Sequence, residues 1–267
     1  MANEIQLNLK ENLENRFVAF LDVLGFSDLV SKNNVESLES YFSKITGVLE
    51  SLKEKKSKIY SLSISDSIIL IAEPGLDSFR ELVTAIRTIQ SQLLYRKIIL
   101  RGAVSYGPVF YDRERNIIVG KGYIKAYLLE AQAIYPRVII DPAIIKLFGK
   151  DKTTFIKQVN TSIDYTFEKR LIYCKSEFSR IQDDAIFIDY ANKIVMKEKL
   201  HGADLKTYQT ILENLYTDQK VFSKYIWLRD YFLESFKLTH FILTNELQFN
   251  NGHTNKISKW IEKYERL

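Results

Sequence analysis

Two strand-length apolar runs stand almost next to each other early in the chain, at residues 59–64 and 68–72. Only Ser65, Asp66 and Ser67 separate them, a spacing that is typical of a β-hairpin and too short for the crossover that parallel strands need. We therefore expect an antiparallel pair of strands with Asp66 at the tip. Such a pair excludes a doubly wound fold with an all-parallel sheet.

Strand-like and helix-like patterns alternate on both sides of this hairpin. In chain order we expect a strand at 16–23, a helix at 35–52, the hairpin, a helix at 76–95, a strand at 98–106, a second hairpin at 109–119, a helix at 120–134 and a strand at 137–140. Gly107 and Pro108 are expected to form a turn before the second hairpin. The β-α-β-β-α-β order with an extra hairpin indicates an α+β sandwich with a mixed or antiparallel sheet.

The rest of the chain divides into a less regular stretch and a helical end. A short helix near 143–148 and strands at 170–174 and 185–189 are expected in the irregular stretch. Apolar residues then recur at helical spacing through the last quarter of the chain. We therefore expect two domains, one over 1–195 and a helical C-terminal extension over 200–267.

Composition excludes several classes of protein. Of the 267 residues, 46% are hydrophobic and 27% are charged, so the chain can build a core and extensive disorder is excluded. A single cysteine excludes an internal disulfide, and three histidines without ligand-like spacing argue against a zinc site. The net charge of +5 comes from scattered residues, with no basic stripe that would indicate binding of DNA or RNA.

The sequence carries no sign of a membrane or export segment. No apolar run reaches the roughly 18 residues of a membrane span. The first residues lack the basic start and the apolar centre of a signal peptide. We therefore expect a cytoplasmic protein that binds neither membranes nor nucleic acid.

Two aspartates stand where their surroundings make a carboxylate costly. Asp22 ends an apolar strand, and Asp66 stands at the tip of a hairpin of apolar strands. A buried carboxylate is strongly unfavourable unless it is paired, hydrogen-bonded or bound to a metal. If the hairpin pairs beside the first strand, the two acids meet at one edge of the sheet. The alternatives are that Asp66 is an ordinary turn residue and that Asp22 caps the following helix.

Such a pair of acids would suit a nucleotide-binding metal site. Two aspartates and a backbone carbonyl form a minimal set of ligands for Mg²⁺ or Mn²⁺ bound to a nucleotide. Gly25, just after Asp22, lets the backbone come close to a phosphate.

Four motifs, in unbroken order over about residues 16–140, resemble those of class III nucleotidyl cyclases. They are FLDVLGF at 20–26, SLSISDSIIL at 61–70, RGAVSYGPVF at 101–110 and VGKGYIKAYLLE at 119–130. Within that superfamily the chain is similar to the bacterial pyrimidine cyclases of the Pycsar antiphage system. The motifs that carry this second resemblance are LDVLGF, AYLLE at 126–130, YPRVIID at 135–141 and KYIWLRDY at 224–231.

The resemblance implies a fold and an activity. It implies a class III cyclase-like sandwich over 1–195 that converts a ribonucleoside triphosphate into its 3′,5′-cyclic monophosphate and pyrophosphate. It also implies two divalent cations, Mn²⁺ or Mg²⁺, and a head-to-tail homodimer with active sites shared between the subunits. By position, the metal ligands would be Asp22, Asp66 and the carbonyl of Val23, and the triphosphate would be cradled by Leu24, Gly25 and Phe26.

Three positions depart from the pattern of purine cyclases. Leu62 stands where those enzymes carry a base-reading lysine, and Ile124 and Leu128 stand where they carry an asparagine and an arginine. The departures fit UTP or CTP as substrate. The resemblance to the Pycsar cyclases implies that cUMP or cCMP is a second messenger, which a cyclic-nucleotide-sensing effector reads in antiphage defence. The alternatives are a purine cyclase with other base-reading residues and a catalytically silent cyclase-like domain.

An active cyclase also needs cationic groups for the negative charge that develops in the reaction. We expect Lys125 and Arg137 to be catalytic, and Arg101, Lys121 and Tyr127 to contact substrate, together with Leu62. Two alternatives stay open, because the two lysines could lie on a solvated helix face and Arg137 could form a structural ion pair with a nearby acid.

Overall fold

The computed structural model describes residues 9–31, 35–53, 58–160, 170–195, 202–248 and 252–267. Its elements in chain order are α1 (Leu9–Asn12), β1 (Glu14–Val23), α2 (Phe26–Ser31), α3 (Val35–Lys53), β2 (Tyr60–Ile64), β3 (Ser67–Ala72), α4 (Leu76–Tyr95), β4 (Leu100–Asp112), β5 (Ile117–Val119), α5 (Lys121–Ala133), β6 (Val138–Ile140), α6 (Pro142–Phe148), α7 (Lys152–Asn160), α8 (Ala191–Val195), α9 (Ala203–Asn214), α10 (Gln219–Phe241), a π-helical turn (Ile242–Glu246) and α11 (Gly252–Glu265).

The described strands form one six-stranded mixed sheet. Its order is β2-β3-β1-β4-β5, with antiparallel neighbours throughout, and β6 runs parallel to the first half of β4. The predicted α+β class and the predicted first hairpin are confirmed. The hairpin turn consists of Ser65 and Asp66 alone, because Ile64 already faces Ser67 in the register.

The turn predicted at Gly107 and Pro108 is wrong, since β4 runs through both residues. Pro108 faces Asn15 of β1 on one side. On the other side, the strands that neighbour β4 in the described structure pair only with residues 102–104 and 110–112. A proline in this gap interrupts no ladder of hydrogen bonds, as at a sheet edge. The absent side chain of Gly107 instead lets α5 pack closely, because a Cβ there would lie 3.3 Å from the backbone of Gly122.

Alternate residues of β1 point to opposite faces of the sheet, and each face has its own helices. Leu21 packs in a core cluster with residues of α3 and α4. Phe20 packs on the other face, against Ala126 and Tyr123 of α5. The end of β1 therefore lies between the α3–α4 layer and α5, and its side chains face one layer or the other in alternation.

The second half of the chain only partly follows the predicted pattern. The strands expected at 170–174 and 185–189 are reduced to isolated bridges, between Ile172 and Ile188 and between Ile139 and Phe187. The helix α7 was not expected. The predicted helical end is confirmed by α9, α10 and α11.

The C-terminal helices pack onto the rest of the chain. Trp227 and Tyr231 of α10 share a hydrophobic cluster with Ile139 and Phe187. The predicted boundary between two domains falls at 196–199, outside the described residues, so the division into 1–195 and 200–267 stays a prediction. No helix within the described ranges is both long enough and apolar enough to cross a bilayer.

Candidate functional site

The two aspartates that the sequence singled out lie together at one corner of the sheet. Asp22 faces Ser67 of β3 in the antiparallel register, and Asp66 directly precedes Ser67 in the hairpin turn. Both side chains are half-buried, and they lie close enough for the charge of Asp66 to act on the Asp22 carboxyl. The pairing of the hairpin with β1 therefore builds the acid pair, by which we mean Asp22 and Asp66.

Ionisation of Asp22 is unfavourable in this place. The pKa of its carboxyl is raised, mainly because the group is buried. The charge of Asp66 raises this pKa further, and the Arg101 guanidinium lowers it by a smaller amount than burial and Asp66 raise it. Two carboxyl groups that repel each other are stabilised by a cation bound to both. The arrangement therefore suits a positively charged ligand.

The acid pair also fits divalent cations by its chemistry. Carboxylate and carbonyl oxygens are the ligands that Mg²⁺ and Mn²⁺ prefer, and the carbonyl of Val23 stands next to Asp22 in the chain. In the part of the chain that the structure describes, no group of three or more His, Cys, Asp or Glu side chains is arranged to hold a metal ion. A cation here would take its other ligands from water and substrate, as Mg²⁺ commonly does.

Arg101 connects the acid pair to a third acid on α5. Its Nε and Nη2 atoms lie 3.2 Å from Oδ2 of Asp22, and Nε also forms an ion pair with the buried Glu130. Burial raises the pKa of Glu130, Arg101 opposes the rise, Asp22 and Asp66 add to it, and Lys224 of α10 opposes it. Five charged side chains thus influence one another at this corner.

Neither Glu130 nor Lys224 was among the site residues predicted from the sequence. Glu130 lies in the AYLLE run and Lys224 begins the KYIWLRDY run. The signal that could have indicated Glu130 is its place in an apolar stretch of a helix. An acid buried there costs free energy unless a partner faces it.

A cleft of about 500 Å³ opens beside the end of β1. The predicted phosphate cradle, Leu24, Gly25 and Phe26, forms one wall. Gly25 has a φ of 86°, a left-handed conformation that glycine adopts without strain. Lys44 of α3 and Arg96 at the end of α4 also line the cleft. The sequence did not indicate these two cations, because they belong to separate helices and meet only in the fold.

Leu62 and Tyr127 lie on the face of the sheet that α5 covers. Leu62 packs against the cluster that contains Phe20, and the rings of Phe20 and Tyr127 meet edge-on with centroids 5.3 Å apart. Tyr127 is 53% exposed, and Ile124 and Leu128 beside it are 55% and 60% exposed. These three residues form an apolar surface on α5, which we call the α5 apolar face.

The three remaining cationic candidates differ in their surroundings. Lys121 is exposed at the start of α5. Lys125 forms an ion pair of 2.5 Å with Asp141, which also caps α6. Arg137 is buried, its Nη1 lies 2.7 and 2.8 Å from the two carboxylate oxygens of Asp183, and its guanidinium lies over three aromatic rings. Arg137 thus has the surroundings of a structural residue, whereas Arg101 contacts the acid pair.

Comparison with protein-family models gave no match, and comparison with curated protein sequences gave none either. Among solved structures, the guanylate cyclase domain of RhGC from Catenaria anguillulae in complex with GTP is 16% identical over 52% of this chain and 84% of its own, with a TM-score of 0.43. The guanylyl cyclase Cya2 is 13% identical over 67% of this chain and 93% of its own, with a TM-score of 0.41. The adenylyl cyclase CyaB from P. aeruginosa is 13% identical over 66% and 93%, with a TM-score of 0.38.

Proposed function

We propose that this chain is a nucleotidyl cyclase, which converts a ribonucleoside triphosphate into a 3′,5′-cyclic monophosphate and pyrophosphate. The observation that carries the proposal is the meeting of Asp22 and Asp66 at the end of β1, beside the Gly25 turn and its cleft. The first two cyclase-like motifs contribute the acid pair and the Gly25 turn, and the third and fourth contribute Arg101 and Glu130 beside it. The acid pair suits divalent cations, and the basic cleft suits phosphates, so together they suit a metal-bound triphosphate.

In the reaction, the 3′ oxygen bonds to the α-phosphorus, and the bond from that phosphorus to the oxygen that bridges it to the β-phosphorus breaks, so that pyrophosphate leaves. The proton of the 3′ hydroxyl passes to water. Asp22, Asp66 and the carbonyl of Val23 would hold two divalent cations, Mn²⁺ or Mg²⁺, which supply charge neutralisation for the triphosphate and lower the pKa of the 3′ hydroxyl.

The protein's own groups bind and orient the triphosphate. Leu24, Gly25 and Phe26 would cradle the phosphates, with the N–H groups of Gly25 and Phe26 as donors, since the Leu24 N–H already donates to the carbonyl of Ile99. Lys44 and Arg96 add positive charge to the same cleft. Arg101 forms ion pairs with Asp22 and Glu130. When substrate enters, its guanidinium would face the negative charge on the phosphates.

The proposed substrate is a pyrimidine triphosphate, UTP or CTP. Leu62 is an apolar residue packed against its neighbours, where a purine-reading enzyme of this superfamily is expected to carry a lysine. Ile124 and Leu128 likewise cannot donate a hydrogen bond. An apolar side chain cannot replace a lost hydrogen bond to a base, and such losses discriminate strongly between substrates. A purine cyclase with other base-reading residues is the alternative.

The product, cUMP or cCMP, would act as a second messenger in antiphage defence by binding a separate effector protein that senses cyclic nucleotides. The support for this role is the similarity of LDVLGF, AYLLE, YPRVIID and KYIWLRDY to the Pycsar cyclases.

The proposed assembly is a two-fold homodimer in which each active site is completed by the partner. The support is the α5 apolar face, because exposed contiguous apolar surface on a helix favours association. A two-fold interface repeats the same contact twice and so builds two equal sites.

The test is incubation of the protein with each of the four ribonucleoside triphosphates and Mn²⁺, followed by mass detection of cyclic products. We expect cUMP or cCMP from the wild type and no product from Asp22→Ala or Asp66→Ala, both with the fold retained. Robust cAMP or cGMP at low substrate concentration would replace the pyrimidine assignment with the purine one. Nucleotide binding without any product would indicate a silent domain, and activity in excess EDTA would contradict the metal assignment.

A further inference from the structure

One guanidinium contacts two acids that come from different elements of the fold. The Nε and Nη2 atoms of Arg101 lie 3.2 Å from Oδ2 of Asp22, and Nε also forms an ion pair with Glu130 on α5. The side chain of Glu130 is 9% exposed, whereas that of Asp22 is 20% exposed. Glu130 is therefore the more buried of the two carboxylates that share the guanidinium.

The register of the sheet explains why these three side chains meet. Arg101 of β4 faces Asp22 of β1 directly, so both side chains leave the sheet on the same face. Because side chains alternate along a strand, Asp22 points to the same face as Phe20, which packs against residues of α5. Glu130 belongs to that helix. The packing of α5 on the sheet thus brings the second acid to the guanidinium.

The ion pair with Arg101 works against the binding of a cation by Asp22. A positive charge beside a carboxylate commonly lowers the affinity of that carboxylate for a proton by about tenfold or more, and a metal ion meets the same repulsion. A second carboxylate on the guanidinium has the opposite effect, because it offsets part of the positive charge and occupies one of the donors. The two acids therefore compete for one partner.

We propose that Glu130 is a positioning residue that competes with Asp22 for Arg101 and so leaves Asp22 able to bind a cation. When the acid pair binds a divalent cation, Asp22 gives up its contact with Arg101 and Glu130 retains the guanidinium. Neither the arginine nor the buried glutamate is then left without a partner, which would be costly. The inference rests on the proposed function only in taking divalent cations as the ligands of the acid pair.

Asp204 is a matched control within the same chain. It is a buried acid on α9, its Oδ2 lies 2.7 Å from Nζ of Lys256, and it accepts a hydrogen bond from Nε1 of Trp260. Glu130→Gln and Asp204→Asn each replace a buried, ion-paired carboxylate by an amide of nearly the same shape. Only the first substitution removes a partner of Arg101.

The experiment is a calorimetric titration with Mn²⁺, without nucleotide, on the full chain of the wild type and the variants, with melting temperatures to show that each variant is folded. We expect Mn²⁺ to bind about tenfold more weakly to Glu130→Gln, as is typical when a group behind the metal ligands is lost. Arg101→Gln should bind Mn²⁺ about tenfold more tightly than the wild type, since the competing charge is gone. Asp204→Asn should bind it with unchanged affinity.

Two further measurements separate competition for Arg101 from a direct attraction between Glu130 and the metal ion. The double variant Glu130→Gln/Arg101→Gln should bind Mn²⁺ as tightly as Arg101→Gln alone, because Glu130 then has no guanidinium to hold. A crystal structure of the wild type with Mn²⁺ should show Arg101 paired with Glu130 and separated from Asp22. A further loss of affinity in the double variant, or an Arg101 that keeps Asp22 and leaves Glu130, overturns the inference.

The remaining outcomes separate this inference from the proposed function. Equal Mn²⁺ affinity in the wild type and Glu130→Gln overturns the inference, as does an equal loss in Asp204→Asn or a wild type that binds no Mn²⁺. Weaker binding to Arg101→Gln also overturns it, and that result needs no folded Glu130 variant. Glu130-dependent Mn²⁺ binding without any cyclic product supports the positioning role and contradicts the cyclase. Cyclic product together with Glu130-independent Mn²⁺ binding does the reverse.

Discussion

Arg101 lies directly across the sheet from Asp22 in the β1–β4 register, and its Nε and Nη2 atoms are both 3.2 Å from Oδ2 of that aspartate. The same guanidinium forms an ion pair with Glu130 on α5. One arginine therefore pairs with two acids, the half-buried Asp22 and the buried Glu130. Asp66 adds a third negative charge at the same corner. Any ligand of the acid pair must share that corner with the guanidinium.

We expect Arg101→Gln to lower kcat/KM by at least about 100-fold, because removal of one preorganised charge-stabilising group commonly costs 10²- to 10³-fold. Arg101→Lys should recover part of the loss, since it keeps the charge but not the planar fork of donors. Steady-state kinetics with the best of the four nucleotides measures both effects. Arg101→Gln with more than half of the wild-type activity would contradict a role for this residue in catalysis.

Asp22→Asn should abolish activity and yet stabilise the metal-free protein at pH 7. Because burial raises the pKa of Asp22 in the folded state, its contribution to stability is largest below the ordinary pKa of an aspartate and is lost as the pH rises through the raised value. Asparagine does not ionise, so the variant avoids that loss. Melting temperatures from pH 3 to pH 8 test this, and the gain should shrink toward acid pH. A variant that is less stable than the wild type at pH 7 would show that the Arg101 ion pair dominates instead.

We expect Arg137→Ala to lower the free energy of unfolding, and any loss of activity to follow from that loss of stability. The substitution leaves the Asp183 carboxylate without its partner and removes the contacts of the guanidinium with three rings. We expect a loss of about 2–3 kcal/mol, below the range for fully buried pairs because Asp183 is partly exposed. Chemical denaturation measures it. Arg180→Ala is the control, because that arginine meets Asp230 at 3.5 Å near the surface, where pairs contribute about 0–1 kcal/mol. An Arg137→Ala protein of normal stability but no activity would support the predicted catalytic role of Arg137.

Leu128→Glu should convert a dimer into a monomer and remove activity, because it places a charge in the middle of the α5 apolar face. Leu212→Glu is the matched control, since Leu212 is 50% exposed and lies on a different helix, α9. Both changes are on the surface and should alter stability by no more than about 0.5 kcal/mol. Sedimentation velocity at assay concentration gives the oligomeric state. A wild-type protein that is monomeric and fully active would rule out the shared site.

Local patterns were sufficient for most of the first half of the fold. The hairpin around Asp66, the helices α3 and α4 and the helix α5 follow from the spacing of apolar residues, because burial against one neighbouring layer leaves a period in the sequence. Pro108 was misread because a proline is a turn signal on its own, and only the neighbouring strands reveal whether its missing N–H matters. The bridges at Ile172 and Ile188 are too short to leave any period.

The acid pair could be selected from the sequence because a carboxylate at the end of an apolar strand is conspicuous from its neighbours alone. The sequence alone could not show which cation faces the acid pair. Asp22 and its partner Arg101 are 79 residues apart in the chain, and Arg137 and Asp183 are 46 apart, so no local pattern links either pair. Side-chain charges interact over a few ångströms and carry no preference for sequence distance. The residue types along the chain therefore determined which groups must find partners, and the packing of β4 and α5 against β1 decided which partners they found.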